Sequence, residues 1–125
     1  MSTPSRDTHT DIQALLPPHE LEASLPTWQS ALTTAGITGA DIHVEPISLS
    51  CEPDNMLVTE YEQTHGAPPI TEVLHRIVVN AHTALNERDL TKAIVDCLPA
   101  GTPWYGTSGD GHIDPGANAA CNISY

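Results

Sequence analysis

The sequence predicts an α+β fold in one small domain, built as a helix, a β-hairpin and two further helices, with an irregular Gly-rich tail. Two apolar repeats at helical spacing indicate the last two helices, and short alternating runs of apolar and polar residues indicate the hairpin. With 125 residues, 39% of them hydrophobic, the chain has room for one domain with a small core. We expect residues 1–17 to be a flexible N-terminus, 18–101 the folded domain and 102–125 the irregular tail.

The first helix is predicted between Ser24 and Ala35. Ser24 can cap it, and Pro26 suits its first turn, where a missing N–H group costs nothing. Gly36 follows, and a glycine at this position can take the left-handed conformation that ends many helices.

The β-hairpin is predicted from extended runs on both sides of a turn. Residues 42–44 and 47–49 alternate apolar with polar side chains, and residues 56–61 follow the turn-rich segment 52–55. Pro46 restricts this stretch to a sheet edge or a bend, because proline cannot donate to a strand ladder.

The strongest helical repeat covers residues 70–85, where apolar residues recur every three or four positions and Arg76 lies on the solvent side. Asn86 can cap one more helix, which carries acidic residues in its first turn and ends at Pro99. After Pro99 the composition changes: residues 101–125 hold five of the 8 glycines and no Leu, Val, Met, Lys, Arg or Glu. This segment is therefore predicted to form no core.

The charge balance excludes some partners. Sixteen acidic residues face four basic ones, a net charge of −12, which repels nucleic-acid phosphates and anionic lipids. We expect no nucleic-acid or membrane partner, and a protein with a basic surface fits better. The sequence has neither a secretory signal nor a membrane-spanning run, so a cytoplasmic location is expected.

The residue types that bind metals or act as nucleophiles give no convincing active site. Glu62 with His65 and Glu72 with His75 both have the E-x-x-H spacing of di-iron carboxylate bundles, but the first pair lies in a predicted strand end and loop. The three cysteines include no CxxC pair, and Cys97 lies on the apolar stripe of the last helix. We therefore predict no metal site, no cofactor and no enzymatic activity.

The junction between helix and tail carries the most specific pattern. A small pair, Ala100-Gly101, follows apolar residues at the spacing of the double-glycine leader, and the chain resembles bacteriocin and modified-peptide precursors with such leaders. It departs from that pattern at Ala100, which replaces the first glycine, and at Ile94, where an acidic residue is common. The residues that match the leader's apolar positions are Leu90, Val95 and Leu98.

Residues 1–101 also resemble in outline the long folded leaders of the nitrile-hydratase-like type. The resemblance implies a leader that recruits modifying enzymes, cleavage between Gly101 and Thr102, and a core peptide over 102–125 that is modified, released and exported. The candidates for dehydration, thioether closure and carboxylate chemistry would be Thr102, Thr107, Ser108 and Ser124, then Cys121, then Asp110 and Asp114.

Two other functions stay open at this point. The net charge is equally typical of a small adaptor, effector or inhibitor that binds a basic protein. An accessory subunit of a metalloenzyme would instead use the histidines of the E-x-x-H pairs, His65 and His75.

Overall fold

A computed structural model describes residues 4–47, 55–67 and 71–115. Within these ranges, three helices and four strands alternate along the chain, which confirms the α+β class. The elements in order are β1 (Arg6–Leu16), α1 (Pro18–Thr34), β2 (Ile37–Pro46), α2 (Met56–His65), β3 (Val73–Thr83), α3 (Glu87–Val95) and β4 (Trp104–Asp110).

The four strands form one antiparallel sheet in the order β2-β3-β1-β4. Since β1 and β2 both run antiparallel to β3, they are parallel to each other, and α1 connects them across β3. In the same way, α3 connects β3 to β4 across β1. This double split β-α-β arrangement is the ferredoxin-like topology, and it places α1 and α3 on one face of the sheet.

The two faces of the sheet have different coverings, because successive side chains of a strand point to opposite faces. The main core lies between the sheet and the helices α1 and α3, with Trp28 and Ile94 fully buried against Ile12 and Ile77. On the other face, α2 packs a smaller cluster over one end of the strands: Leu15, Ile47, Leu57, Val58 and Leu74.

Two strands lie in segments that the sequence pattern predicted to be irregular. Residues 6–16 form the central strand β1, where Thr8 and Thr10 are buried although their polarity suggested a flexible N-terminus. Residues 104–110 form β4, which pairs with β1 along its whole length. The glycines and the threonine of β4 give no apolar repeat, and the backbone pairing with β1 defines the strand instead.

For β3 and α2, the structure has the opposite type of element from the one that the sequence predicts. Residues 73–83 form a strand rather than part of a helix over 70–85, since a central strand covered on both faces has apolar residues at nearly every position. Residues 56–65 form a helix rather than the second half of a hairpin, because the Asn55 side chain accepts a hydrogen bond from Leu57 N at 2.9 Å and caps the first turn. The actual partner of β2 is β3.

The remaining helices agree better with the sequence. Asn86 caps α3 as predicted, since its side chain accepts a hydrogen bond from Asp89 N at 2.8 Å. Helix α1 ends before Gly36, which has the left-handed φ of 90°. It begins at Pro18 rather than at Ser24. Pro18 is the first helical residue, and Pro26 lies inside the helix instead of in its first turn. No helix in the described residues is long and apolar enough to cross a membrane.

Candidate functional site

A groove runs between α3 and the edge strand β4. It has a volume of about 510 Å³, and its lining is mainly apolar. Trp104, with 38% of its surface exposed, stands at one end of the groove, and Val95 contributes from the helix. Of the described residues, only Trp104 and Met56 are large hydrophobic residues with this degree of exposure. An exposed indole beside an apolar groove is a typical binding feature.

The shape of the groove depends on Gly106. This residue has a φ of 151°, and a Cβ atom here would lie 2.3 Å from the carbonyl oxygen of Asp11. Only glycine therefore lets β4 approach β1 so closely. Trp104, Gly106 and Ser108 share the side of β4 that faces α3, and all three line the groove.

Three hydroxyl groups hold the floor of the groove in place. Ser108 Oγ lies 2.8 Å from Thr10 Oγ1 and 2.6 Å from Thr91 Oγ1, so one hydrogen-bonded chain joins β1, β4 and α3. Ser108 is buried, and these contacts satisfy its hydroxyl. They fix the distance between the helix and the strand, which makes the groove a preformed feature.

The outer edge of β4 is unprotected within the described part of the chain. The strand is last in the sheet, and its seven residues contain no proline or lysine and one charge, on Asp110. Proteins usually block exposed sheet edges with such residues. An edge without them can accept a further strand.

Two of the protein's four Lys and Arg residues border this region. Arg88 and Lys92 line the groove together with Glu87 and Asp96, which gives the lining a formal charge near zero. Lys92 binds Asp96 at 2.9 Å, whereas Arg88 makes no ion pair with any described residue. The groove lining thus has no net formal charge, although the chain has a net charge of −12.

The residues of the predicted leader pattern have different environments. Leu90 and Leu98 are buried in the core, whereas Val95 is half-buried and lines the groove. Ala100 and Gly101 lie in an exposed turn before β4, and Thr102 N and Oγ1 both donate to Pro99 O.

The predicted modification residues are not gathered at one place. Thr107 and Ser108 line the groove, but Ser108 is buried. Asp110 binds Arg6 at 2.8 Å at the end of β4, and Asp114 lies in the segment that follows. Cys121 and Ser124 lie outside the described residues.

The histidines of the E-x-x-H pairs do not meet. His65 is exposed on α2 and stacks on Tyr61 with ring centroids 4.0 Å apart. His75 is buried in β3, and burial lowers its pKa. Neither belongs to a group of three potential metal ligands among the described residues.

Arg76 has a role that the helical interpretation missed. It was expected on a solvent face, but in β3 its side chain is only 5% exposed and binds both carboxylate oxygens of Asp11, at 3.1 and 2.9 Å. Glu45 lies 3.7 Å away, and Arg76 Nη1 also donates to Pro115 O. In the sheet, Arg76 pairs with Gln13, and Asp11 lies two residues before Gln13 on the same face of β1. Only the strand assignment would have revealed this cluster.

No family model matches the chain, and no curated protein matches it.

Proposed function

We propose that this protein is a small acidic binding module that takes an extended, apolar segment of a basic partner protein into the groove between α3 and β4. The observation that carries the proposal is the combination of a preformed groove with a strand edge beside it that no described strand covers. Strand addition uses both features, because main-chain hydrogen bonds give affinity and side-chain pockets give specificity.

The geometry predicts which side chains of the partner would contact the groove. A strand added to the edge of β4 directs every second side chain to the face that carries α3. One of these side chains would lie near Gly106 in the groove, between Trp104 and Ser108. A large apolar residue fits this position, and the Trp104 ring would cover it.

The charge of the whole molecule favours a basic partner. With a net charge of −12, the protein attracts a cationic partner over long range and repels a second copy of itself. The groove lining has a formal charge near zero, so the segment that enters it needs no strong charge of its own. We therefore expect Lys or Arg residues to flank an apolar centre.

Selection from a displayed library of short random peptides tests the proposal. We expect selected peptides to carry one large apolar residue among basic ones and to shift the backbone amide NMR signals of β4. Trp104→Ser should weaken binding by at least about tenfold, because a central aromatic residue is a frequent hot spot. Met56→Ser is the matched control, since Met56 is 54% exposed on α2 and should leave the affinity unchanged.

Two results would contradict the proposal. Selected peptides that bind Trp104→Ser and the parent protein equally well would place the binding surface elsewhere. A dimer that forms through β4 at low salt, detected by sedimentation, would identify a second copy of the chain as the occupant.

A peptide precursor is the second candidate, and the exposed turn at Ala100 and Gly101 is the observation that favours it. Recognition of the apolar leader positions would require α3 to leave the sheet, because Leu90 and Leu98 are buried. Release after Gly101 would also remove β4. The groove is compatible with the folded chain, and for that reason we rank the binding module first.

A further inference from the structure

We infer that Asp7, His82 and His112 form a binding site for a divalent transition-metal ion such as Zn²⁺. Their ligand atoms all lie within 4.8 Å of one another, and they are the one group of three or more potential ligands among the described residues. The site lies on the face of the sheet opposite α1 and α3 and is independent of the proposed groove.

Two of the three residues are fixed by the strand pairing. Asp7 of β1 and His82 of β3 are directly opposite each other, and Asp7 Oδ1 lies 2.7 Å from His82 Nδ1. On the other side of His82, a bulge in β2 places Gly39 so close that its Cβ would be 3.1 Å from the ring. The glycine thus makes room for the imidazole beside the bulge.

The third ligand comes from the segment after β4, which folds back over the sheet. Gly111 N donates to Asp7 O at 2.7 Å, and Ile113 N donates to the side-chain oxygen of Asn80 at 3.0 Å. These bonds hold the backbone on both sides of His112. The ring of His112 lies 5.2 Å from that of His82, and its Nε2 atom lies 3.9 Å from Asp7 Oδ1.

Two of the three distances between ligand atoms need little change to accept an ion, and the third lies within 4.8 Å. Tetrahedral Zn²⁺ with bonds of about 2.0–2.1 Å separates its ligand atoms by about 3.3 Å. The contact between Asp7 and His82 must therefore lengthen by about 0.6 Å, and that between Asp7 and His112 must shorten by about the same amount. All three side chains are between 41% and 58% exposed, which leaves them free to make this adjustment.

The donor set selects the class of metal. Two imidazoles and one carboxylate suit Zn²⁺, Co²⁺, Ni²⁺ or Fe²⁺, whereas Mg²⁺ and Ca²⁺ prefer oxygen ligands. Three protein ligands leave at least one coordination position for water. The net charge of −12 also favours a cation.

Metal binding must replace two hydrogen bonds and change the tautomer of both histidines. His112 Nε2 lies 3.1 Å from the carbonyl oxygen of Ala81, which can only accept, so this nitrogen carries a proton in the metal-free protein. The nitrogen of His82 that faces the carboxylate is protonated for the same reason. When the metal binds, each proton moves by exchange with solvent to the other ring nitrogen of the same imidazole, which leaves a lone pair for the metal.

Titration of the full-length chain with Zn²⁺ alone, in a buffer with a reductant, tests the site. We expect one ion per chain, NMR shifts of the His82 and His112 ring protons, and a higher thermal unfolding temperature. His82→Ala and His112→Ala should each weaken binding by at least about tenfold. His19→Ala is the matched control, since His19 is exposed on α1, and it should leave the affinity unchanged.

Equal Zn²⁺ affinity of His82→Ala and the parent would overturn the proposal. A dissociation constant above about 1 mM for the parent protein would overturn it too. The NMR shifts require no variant, so the outcome does not depend on the folding of either substitution. If Zn²⁺ shifts only the NMR signals of residues other than Asp7, His82 and His112, the proposed site is also contradicted.

Discussion

Arg76 binds two carboxylates on the sheet face that α2 partly covers, and its environment shows how the sequence balances a buried charge. The hydrogen bonds to Asp11 raise the pKa of the guanidinium above its ordinary value, and the charges of Asp11 and Glu45 act in the same direction against burial. Arginine suits this place because its planar group matches both carboxylate oxygens at once.

Replacement of this arginine should therefore destabilise the fold. Arg76→Met leaves the Asp11 carboxylate without its partner, and we expect the free energy of unfolding to fall by about 2–3 kcal/mol, less than for a fully buried pair because Asp11 is partly exposed. Urea denaturation measures the change. Arg88→Met is the control, and its effect should stay within about 0.5 kcal/mol. Equal effects of the two substitutions would contradict the assigned role of Arg76.

His75 gives the fold a dependence on pH. Burial lowers the pKa of this histidine in the folded state, and its Nδ1 atom has no hydrogen-bond partner among the described residues. Below about pH 6.5 the unfolded chain therefore binds a proton that the folded chain resists, and the free energy of unfolding falls. Above that pH both states are neutral and the effect vanishes.

His75→Gln tests this dependence, because glutamine is polar but does not titrate. As the pH falls below about 6.5, we expect the free energy of unfolding to fall more for the parent than for His75→Gln. Denaturation at a series of pH values measures it. A constant difference across the series would show that the buried histidine does not titrate on unfolding.

At the level of elements, the sequence predicted helix caps better than strands. Asn86 and Gly36 mark helix ends by local chemistry, and both predictions are confirmed. The apolar run of β3 fits a helical repeat equally well, because a strand buried on both faces loses its alternation. The groove was hidden for a related reason: Trp104 and Gly106 acquire their roles only when β4 pairs with β1.

Gly106 should be indispensable for that pairing. In Gly106→Ala the new Cβ would meet the backbone of Asp11 and Ile12, so β4 must shift, and we expect a loss of about 2–4 kcal/mol in the free energy of unfolding. Gly66→Ala is the matched control, because Gly66 has a left-handed φ of 73° with nothing near its Cβ position, and it should cost about 1 kcal/mol. Chemical denaturation of both variants measures the difference, and a smaller cost at Gly106 would argue against close packing of β4.

At the scale of the whole molecule, the ferredoxin-like topology joins the two ends of the described chain in one sheet. The central strand β1 has β3 on one side and β4 on the other, so residues far apart in sequence depend on each other. Composition alone divided the chain near Pro99, whereas the hydrogen bonds of Ser108 connect the segment after Pro99 to β1 and α3.

This dependence distinguishes the two candidate functions. A chain that ends at Gly101 lacks β4, which exposes one edge of β1 and removes the partner of Thr10 and Thr91. We expect residues 1–101 to lose the cooperative unfolding transition in circular dichroism, and residues 1–116 to keep it. A precursor function requires the opposite, a leader that folds without its core peptide. A stable 1–101 fragment, together with protein from its native host that is cleaved after Gly101 and altered in mass within 102–125, would favour the precursor over the binding module.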